Sequence, residues 1–183
     1  MAELFASVWG SGPGQEPMAA DLLRALAHSG GAVHVAYHVA DGPDRTRPVG
    51  AAVAVFGPPR SHAAYSLIAA AAEPGGGVGY ALKQAQRAWA LRRGATSLTW
   101  TFDPLIGRNA RFNLVKLGAI ATEYVVDFYG PLADGTNDGD ETDRLAVTWE
   151  GQHAHDRRRE RQVRQGGRPA RTTTATPRSG SSA

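Results

Sequence analysis

The chain has no cysteine among its 183 residues, which excludes disulfides, thiolate zinc sites and an acyl-cysteine intermediate. No apolar run approaches the roughly 20 residues of a membrane span. The N-terminus lacks a charged segment ahead of an apolar one, so no secretory signal is visible. A cytoplasmic protein without membrane contact is the expectation. Lysine is scarce beside arginine while Ala and Gly abound, a usage associated with GC-rich bacterial genomes. No internal repeat is present. What the chain does have is 42% hydrophobic residues, enough for one core, and a length that suits one domain plus an extension.

The net charge of +3 conceals two regions. Residues 151–183 hold eight arginines against Asp156 and Glu160, a balance of +6, which leaves −3 for residues 1–150. After Trp149 apolar residues thin out and the chain ends in Thr, Ser, Gly and Pro. Residues 1–150 are therefore expected to form the domain, and 151–183 a basic, disordered tail. A basic tail can touch nucleic acid through phosphate charge; a solvated extension is the plainer reading.

The densest local signal is Glu73-Pro-Gly-Gly-Gly-Val-Gly-Tyr-Ala-Leu-Lys83. An apolar run, Ile68 to Ala72, feeds four glycines in five positions, and an amphipathic helix pattern follows at once. Glycines let the backbone turn tightly and bring bare N–H groups close to a ligand. The helix start adds unpaired donors and a partial positive charge, which suits pyrophosphate. A P-loop would need Gly-Lys-Ser/Thr at the helix start, and Lys83 comes too late and precedes Gln84. A dinucleotide fingerprint needs G-x-G-x-x-G, but Leu82 and Tyr80 occupy the third-glycine positions. What remains is x-x-x-G-x-G before a helix, Pro74-Gly-Gly-Gly77-Val-Gly79.

Periodicity places the rest. Residues 2–9 and 17–28 read as helices, the second closed by Ser29-Gly30-Gly31. Strands are expected at 33–39, 49–56 and 62–72, the first two forming a hairpin. Apolar positions 78, 82, 85 and 89 give a helix ending near Gly94. Leu98, Trp100 and Phe102 alternate with Ser97, Thr99, Thr101 and Asp103, and Pro104 stops that strand. Residues 106–117 read as helix, and 120–129 and 143–149 as strands. The order ααβββαβαββ predicts an α/β sandwich with mixed strand directions.

The glycine loop resembles the acyl-CoA loop of the GNAT superfamily of N-acyltransferases, normally Arg/Gln-x-x-G-x-G/A, and the element order matches that family from its first helix onward. Asn109-Ala110 through Lys116-Leu-Gly-Ala119 resembles the family's Asn-x-x-Ala-x-x-x-Tyr-x-x-x-Gly helix. Tyr80–Arg87, Trp100–Leu105, Asn109–Asn113, Asp127–Pro131 and Gly139–Arg144 look like one bacterial subgroup of predicted GNAT acetyltransferases. The resemblance covers nearly all of residues 5–149. It implies a mixed central sheet of about six strands flanked by helices, with the family's first strand absent. It also implies acyl transfer from acetyl-CoA, or another small acyl-CoA, to a primary amine by direct attack.

By the same resemblance, the backbone of Ala69 and Ala70 would pair with the pantetheine arm. The amides of Gly75, Gly76, Gly77, Val78 and Gly79 would hold pyrophosphate, and Asn109 would help hold the cofactor. Pro74 stands where the family has Arg or Gln, and Leu114 where a thiolate-protonating Tyr often stands. Asp103 is a candidate base or amine anchor at a strand end, although Asp before Pro is also a common turn former. Asn113 neighbours the missing Tyr position, and Tyr124 or Tyr129 could replace that acid. His62 reads as an edge histidine, with Tyr65 nearer the loop in register. Trp9, Trp89, Trp100 and Trp149 read as core or cleft wall. Asp138, Asp140, Glu141 and Asp143 match no calcium loop, and no metal is expected. The implied partners are acyl-CoA and an amine, with a homodimer and weak nucleic-acid contact left open. The rival readings are a degenerate GNAT that binds acyl-CoA without turnover and a nucleic-acid-associated protein using its arginine tail.

Overall fold

Helix α1, Ala2–Trp9, stops at Gly10, whose φ of 66° is left-handed. Helix α2, Ala20–His28, begins three residues later than its periodicity predicts. The preceding segment instead seats Met18 against Phe5 and Leu23. A hairpin follows, β1 (Ala32–Ala36) and β2 (Gly50–Phe56), then β3 (Ala63–Ala71), α3 (Val78–Arg92) and β4 (Ser97–Phe102). Helix α4, Gly107–Ala110, passes into a π-helical turn over Arg111–Lys116, and β5 (Ile120–Val125) and β6 (Arg144–Glu150) complete the fold. The computed structural model describes residues 1–12, 15–38, 47–130 and 142–151. The expected basic tail and the Asp138, Asp140 and Glu141 cluster lie outside them.

The α/β class and element order expected from the sequence are observed. Six strands form one mixed sheet in the order β1-β2-β3-β4-β6-β5. Every neighbouring pair is antiparallel except β3 and β4, which run parallel. Helices α1 and α2 cover one face, where Phe5, Met18 and Leu23 pack on Ala51, Val53 and Ala70. The other face is larger: Trp89 and Ala90 of α3 and Leu117 after α4 share a core with Leu98, Trp100, Phe102, Val147 and Trp149. The clean alternation of β4 is therefore real, its even residues buried and its odd ones half-buried. Trp89, Trp100 and Trp149 are core as expected, whereas Trp9 is 47% exposed at the end of α1.

Three local departures have physical causes. His62 does not lie on β3; it takes φ 46° to close a 3-10 turn, Pro59–Ser61. Strand β5 ends four residues earlier than predicted because Asp127 adopts φ 47°. Its carboxylate accepts the Thr142 hydroxyl at 3.0 Å, and its N–H donates to Asp143 at 3.0 Å. The 106–117 helix widens to i→i−5 bonding, with Leu117 N–H donating to the Phe112 carbonyl, a variant often found at functional sites. Among the described residues, no helix is long and apolar enough to cross a membrane.

Candidate functional site

The parallel pair is the opening in this sheet. Strands β3 and β4 pair only at Ala63–Ser97, Ala64–Leu98 and Tyr65–Thr99. Beyond those three pairs the strands part, leaving a V with Ser66 to Ala71 on one arm and Trp100 to Phe102 on the other. A bulge helps to open it. Val53 pairs with Ile68 while Ala54 pairs with Ser66, so Leu67 is an extra residue without a cross-strand partner. The bulge also reverses side-chain parity. Ala64 and Ser66 face α3, whereas Ile68 and Ala70 face the α1/α2 core.

Past the bulge, Ala72 N–H donates to the Val49 carbonyl and Ala70 pairs with Ala51. Antiparallel bonding alternates along a strand, so Ala69 and Ala71 turn their backbone groups toward the V. Of the expected pair, Ala69 therefore presents its backbone to the opening and Ala70 belongs to the ladder with β2.

At the mouth of the V the chain turns through the glycine loop. Gly75 and Gly77 have φ of 93° and 77°, a region that L side chains rarely adopt. Gly77 is also the N-cap of α3, and no side chain caps that helix. The N–H groups of its first turn thus face outward beside Gly75, Gly76 and Gly79. The loop can sit close to β2 because Gly50 has no side chain: a Cβ there would lie 2.4 Å from Val78 Cγ1 and 3.1 Å from the Ala70 carbonyl oxygen.

A buried polar chain lies beneath the vertex, and periodicity missed it. Lys83 Nζ donates to Ser66 Oγ at 2.8 Å, and Ser66 Oγ donates to Gln86 Oε1 at 2.9 Å. All three residues are buried. Lys83 Nζ also lies 3.9 Å from the Trp100 ring centroid. Trp100 Nε1 donates to Asn113 Oδ1 at 3.0 Å, and Asn113 Nδ2 donates to the Asn109 carbonyl at 2.9 Å. Burial pushes the Lys83 ammonium down to about 7, while the ring face beside it favours the charged form. The available signal was two polar residues, Lys83 and Gln86, each one position from the apolar stripe at 82, 85 and 89.

The remaining candidates are spread out. Asp103 follows β4, and its carboxylate accepts the Leu105 N–H at 2.8 Å, a turn contact. Tyr124 lies on β5 at the sheet's far edge, separated from β4 by β6, and its hydroxyl donates to Asp143. That bond, followed by the Asp127 N–H, holds the Asp143 carboxyl below its usual range. Tyr129, in the turn after β5, packs edge-on to Phe128 with Arg144 over its ring. Leu114 packs against the α3-side core. Among the described residues, no three His, Cys, Asp or Glu side chains gather around a point where a metal could sit.

Solved structures share this fold. One, from Desulfovibrio desulfuricans, is described as an acetyltransferase of the GNAT family; it matches at 17% identity over 81% of this chain and 91% of that one, with a TM-score of 0.61. The chain has the GNAT fold. Another GNAT-fold match is a ribosomal-protein-alanine N-acetyltransferase from Brucella melitensis, at 17% identity over 72% of this chain and 75% of that one, TM-score 0.56. A third is yncA from Salmonella typhimurium, described as an acetyltransferase and solved with its cofactor acetyl-CoA, at 15% identity over 73% of each chain, TM-score 0.55. No protein-family model matches the sequence, and no curated protein does.

Proposed function

We propose that this chain is a GNAT-type N-acyltransferase that moves an acetyl or other small acyl group from acyl-CoA to a primary amine. The observation that carries the reading is the V between β3 and β4, with an uncapped helix N-terminus and a glycine loop at its mouth. A pantetheine arm is an extended chain carrying two amides, and the outward backbone groups of Ala69 and Ala71 are suited to pair with it. The loop from Gly75 to Gly79 and the first turn of α3 offer N–H donors and a partial positive charge to the pyrophosphate. Asn109 is our candidate to help hold the cofactor, its carbonyl accepting from Asn113, which in turn accepts from Trp100 on β4.

When bound, the thioester supplies an activated acyl carbon. The chain's part is to hold that carbon at the vertex and stabilise charge on its oxygen. The backbone around Leu67, displaced from the ladder with β2, is our candidate for that task, since a fixed N–H there would favour the developing oxyanion. Asp103 is the nearest carboxylate along β4 and our candidate for receiving the amine proton. Asn113 acts through Trp100 and Asn109, as a positioning residue. Tyr124 and Tyr129 are assigned to the acceptor side, beyond β6.

Calorimetric titration tests the binding half: acetyl-CoA should bind in competition with CoA but not with NAD or ATP. A thiol-reactive dye tests the transfer half, because the chain's lack of cysteine leaves the assay without protein background. Failure to bind acetyl-CoA overturns the reading. A second reading, an acyl-CoA-binding module without turnover, is favoured by Leu114, which fills core at the position where the resemblance expects an acid. Tight binding with no thiol release across a panel of amines would select it.

A further inference from the structure

The chain has only two lysines, and they occupy opposite environments. Lys116 is exposed at the end of the π-helical turn. Lys83 is buried at the vertex of the V. Its Nζ touches Ser66 and Trp100, and these are the first residues of β3 and β4 beyond the last cross-strand pair, Tyr65–Thr99. The amine therefore sits between the two arms where they begin to part, on the α3 side. Among the described residues, Ser66 Oγ is its hydrogen-bond acceptor and no carboxylate is paired with it. An apolar side chain would fill this position without the cost of burying an ammonium.

Burial without a counter-charge favours the neutral amine, the form with a free lone pair. Gln86 Nε2, also buried, has no hydrogen-bond partner. It is a second buried donor, on a side chain joined to the vertex through Ser66.

We propose that Lys83 is a self-acylation site, at which the amine at the vertex takes the acyl group of an acyl-CoA held between β3 and β4 and keeps it as an amide. The inference rests on the acyl-CoA reading of the V. In the step, the Nζ lone pair forms a C–N bond to the acyl carbon and the C–S bond breaks. The proton lost from nitrogen goes to the departing thiolate, so CoA leaves as the free thiol. No oxidant or further reactant is needed. With no cysteine in the chain, prior transfer to a protein thiol is excluded. An amide is a poor acyl donor, so the acyl group is not passed on. Acyl-Lys83 occupies the vertex itself, which makes the modification self-limiting and lowers affinity for a second acyl-CoA.

The test uses the whole chain and two readouts on one preparation: calorimetric binding of acetyl-CoA, and intact mass with fragment mapping after incubation. Lys116 and the α-amino group serve as internal references for indiscriminate chemistry. The expected result is a single added acetyl group, mapped to Lys83, that excess CoA suppresses and acetyl phosphate at the same concentration does not reproduce. Lys83→Arg should lose the mark while still binding acetyl-CoA. If acetyl-CoA binds and Lys83 stays unmodified, the proposal falls and the functional reading survives. Labelling of Lys116 or the N-terminus at the same rate, or equal labelling by acetyl phosphate, also overturns it. If acetyl-CoA does not bind at all, both fall together.

Discussion

Replacing Lys83 by Met keeps the side chain long and apolar while removing the ammonium, so it isolates what burying that charge does to stability. Lysine in an unfolded chain titrates near 10.5, and burial brings Lys83 to about 7. Between those values the unfolded chain binds a proton that the folded chain does not, so stability rises with pH across the window. Below about 7 the full cost of the buried ammonium is present, and above 10.5 none of it remains. A shift of this size corresponds to ~5 kcal/mol across the window. The Trp100 ring, 3.9 Å from Nζ, returns about 1–2 kcal/mol to the charged form, which leaves ~3 kcal/mol. Urea denaturation, followed by fluorescence of the buried Trp89, Trp100 and Trp149, should be run on both proteins from pH 6 to pH 10. Other titrating groups are common to the two chains and cancel in the difference. Wild type should gain about 3 kcal/mol relative to Lys83→Met as pH rises. The mutant should be the more stable protein at pH 6. Parallel curves would show that Lys83 titrates normally, and the argument for a free amine at the vertex would collapse with it.

Pro74→Arg adds a donor at the mouth of the V and should tighten CoA binding roughly tenfold to a hundredfold, the gain shrinking as salt rises; unchanged affinity would mean that backbone amides alone hold the pyrophosphate. Gly77→Val forces a β-branched residue into a left-handed conformation at the N-cap of α3, and calorimetry should show acetyl-CoA binding lost with the fold retained. Gly50→Ala drives a Cβ into Val78 and the Ala70 carbonyl, so chemical denaturation should show a loss of about 1–3 kcal/mol. Tyr124→Phe removes the hydroxyl held by Asp143; with β6 standing between β5 and the V, thiol release at saturating amine should be unchanged, and a clear fall would make Tyr124 the leaving-group acid instead.

Where one face of an element is apolar and the other polar, the fold was legible in the sequence. Strand β4 reads as Leu98, Trp100 and Phe102 against Ser97, Thr99 and Thr101, and the structure buries it that way. The glycine loop was legible as a tight turn for a different reason, because Gly75 and Gly77 take a left-handed backbone that L side chains rarely adopt. The bulge at Leu67 was hidden: it precedes a run of alanines from Ala69 to Ala72, in which neither face is marked. Lys83 and Gln86 were hidden because counting apolar residues along α3 finds 78, 82, 85 and 89, whereas the buried residues are 82, 83, 86, 89 and 90. Polar side chains linked by hydrogen bonds within a core leave no periodic trace. The early end of β5 was out of reach too, since Val126 and Phe128 continue a strand-like pattern while Thr142 and Asp143 fix Asp127 from far along the chain.

The three-pair contact between β3 and β4 also divides the sheet mechanically. Strands β1, β2 and β3 make one leaf and β4, β6 and β5 the other, joined along their backbones by a short seam at Ala63–Tyr65 and Ser97–Thr99. Each leaf is bonded along most of its length, and the α3-side core spans both, so the seam is where backbone pairing across the sheet is thinnest. A ligand lying along β3 would act as a strut between the leaves, adding backbone bonds where the protein has none of its own. Occupancy by such a ligand would raise the melting temperature by mass action. Amide exchange should slow first at Ala69 and Ala71 on the open arm, and along the seam, rather than uniformly through the domain.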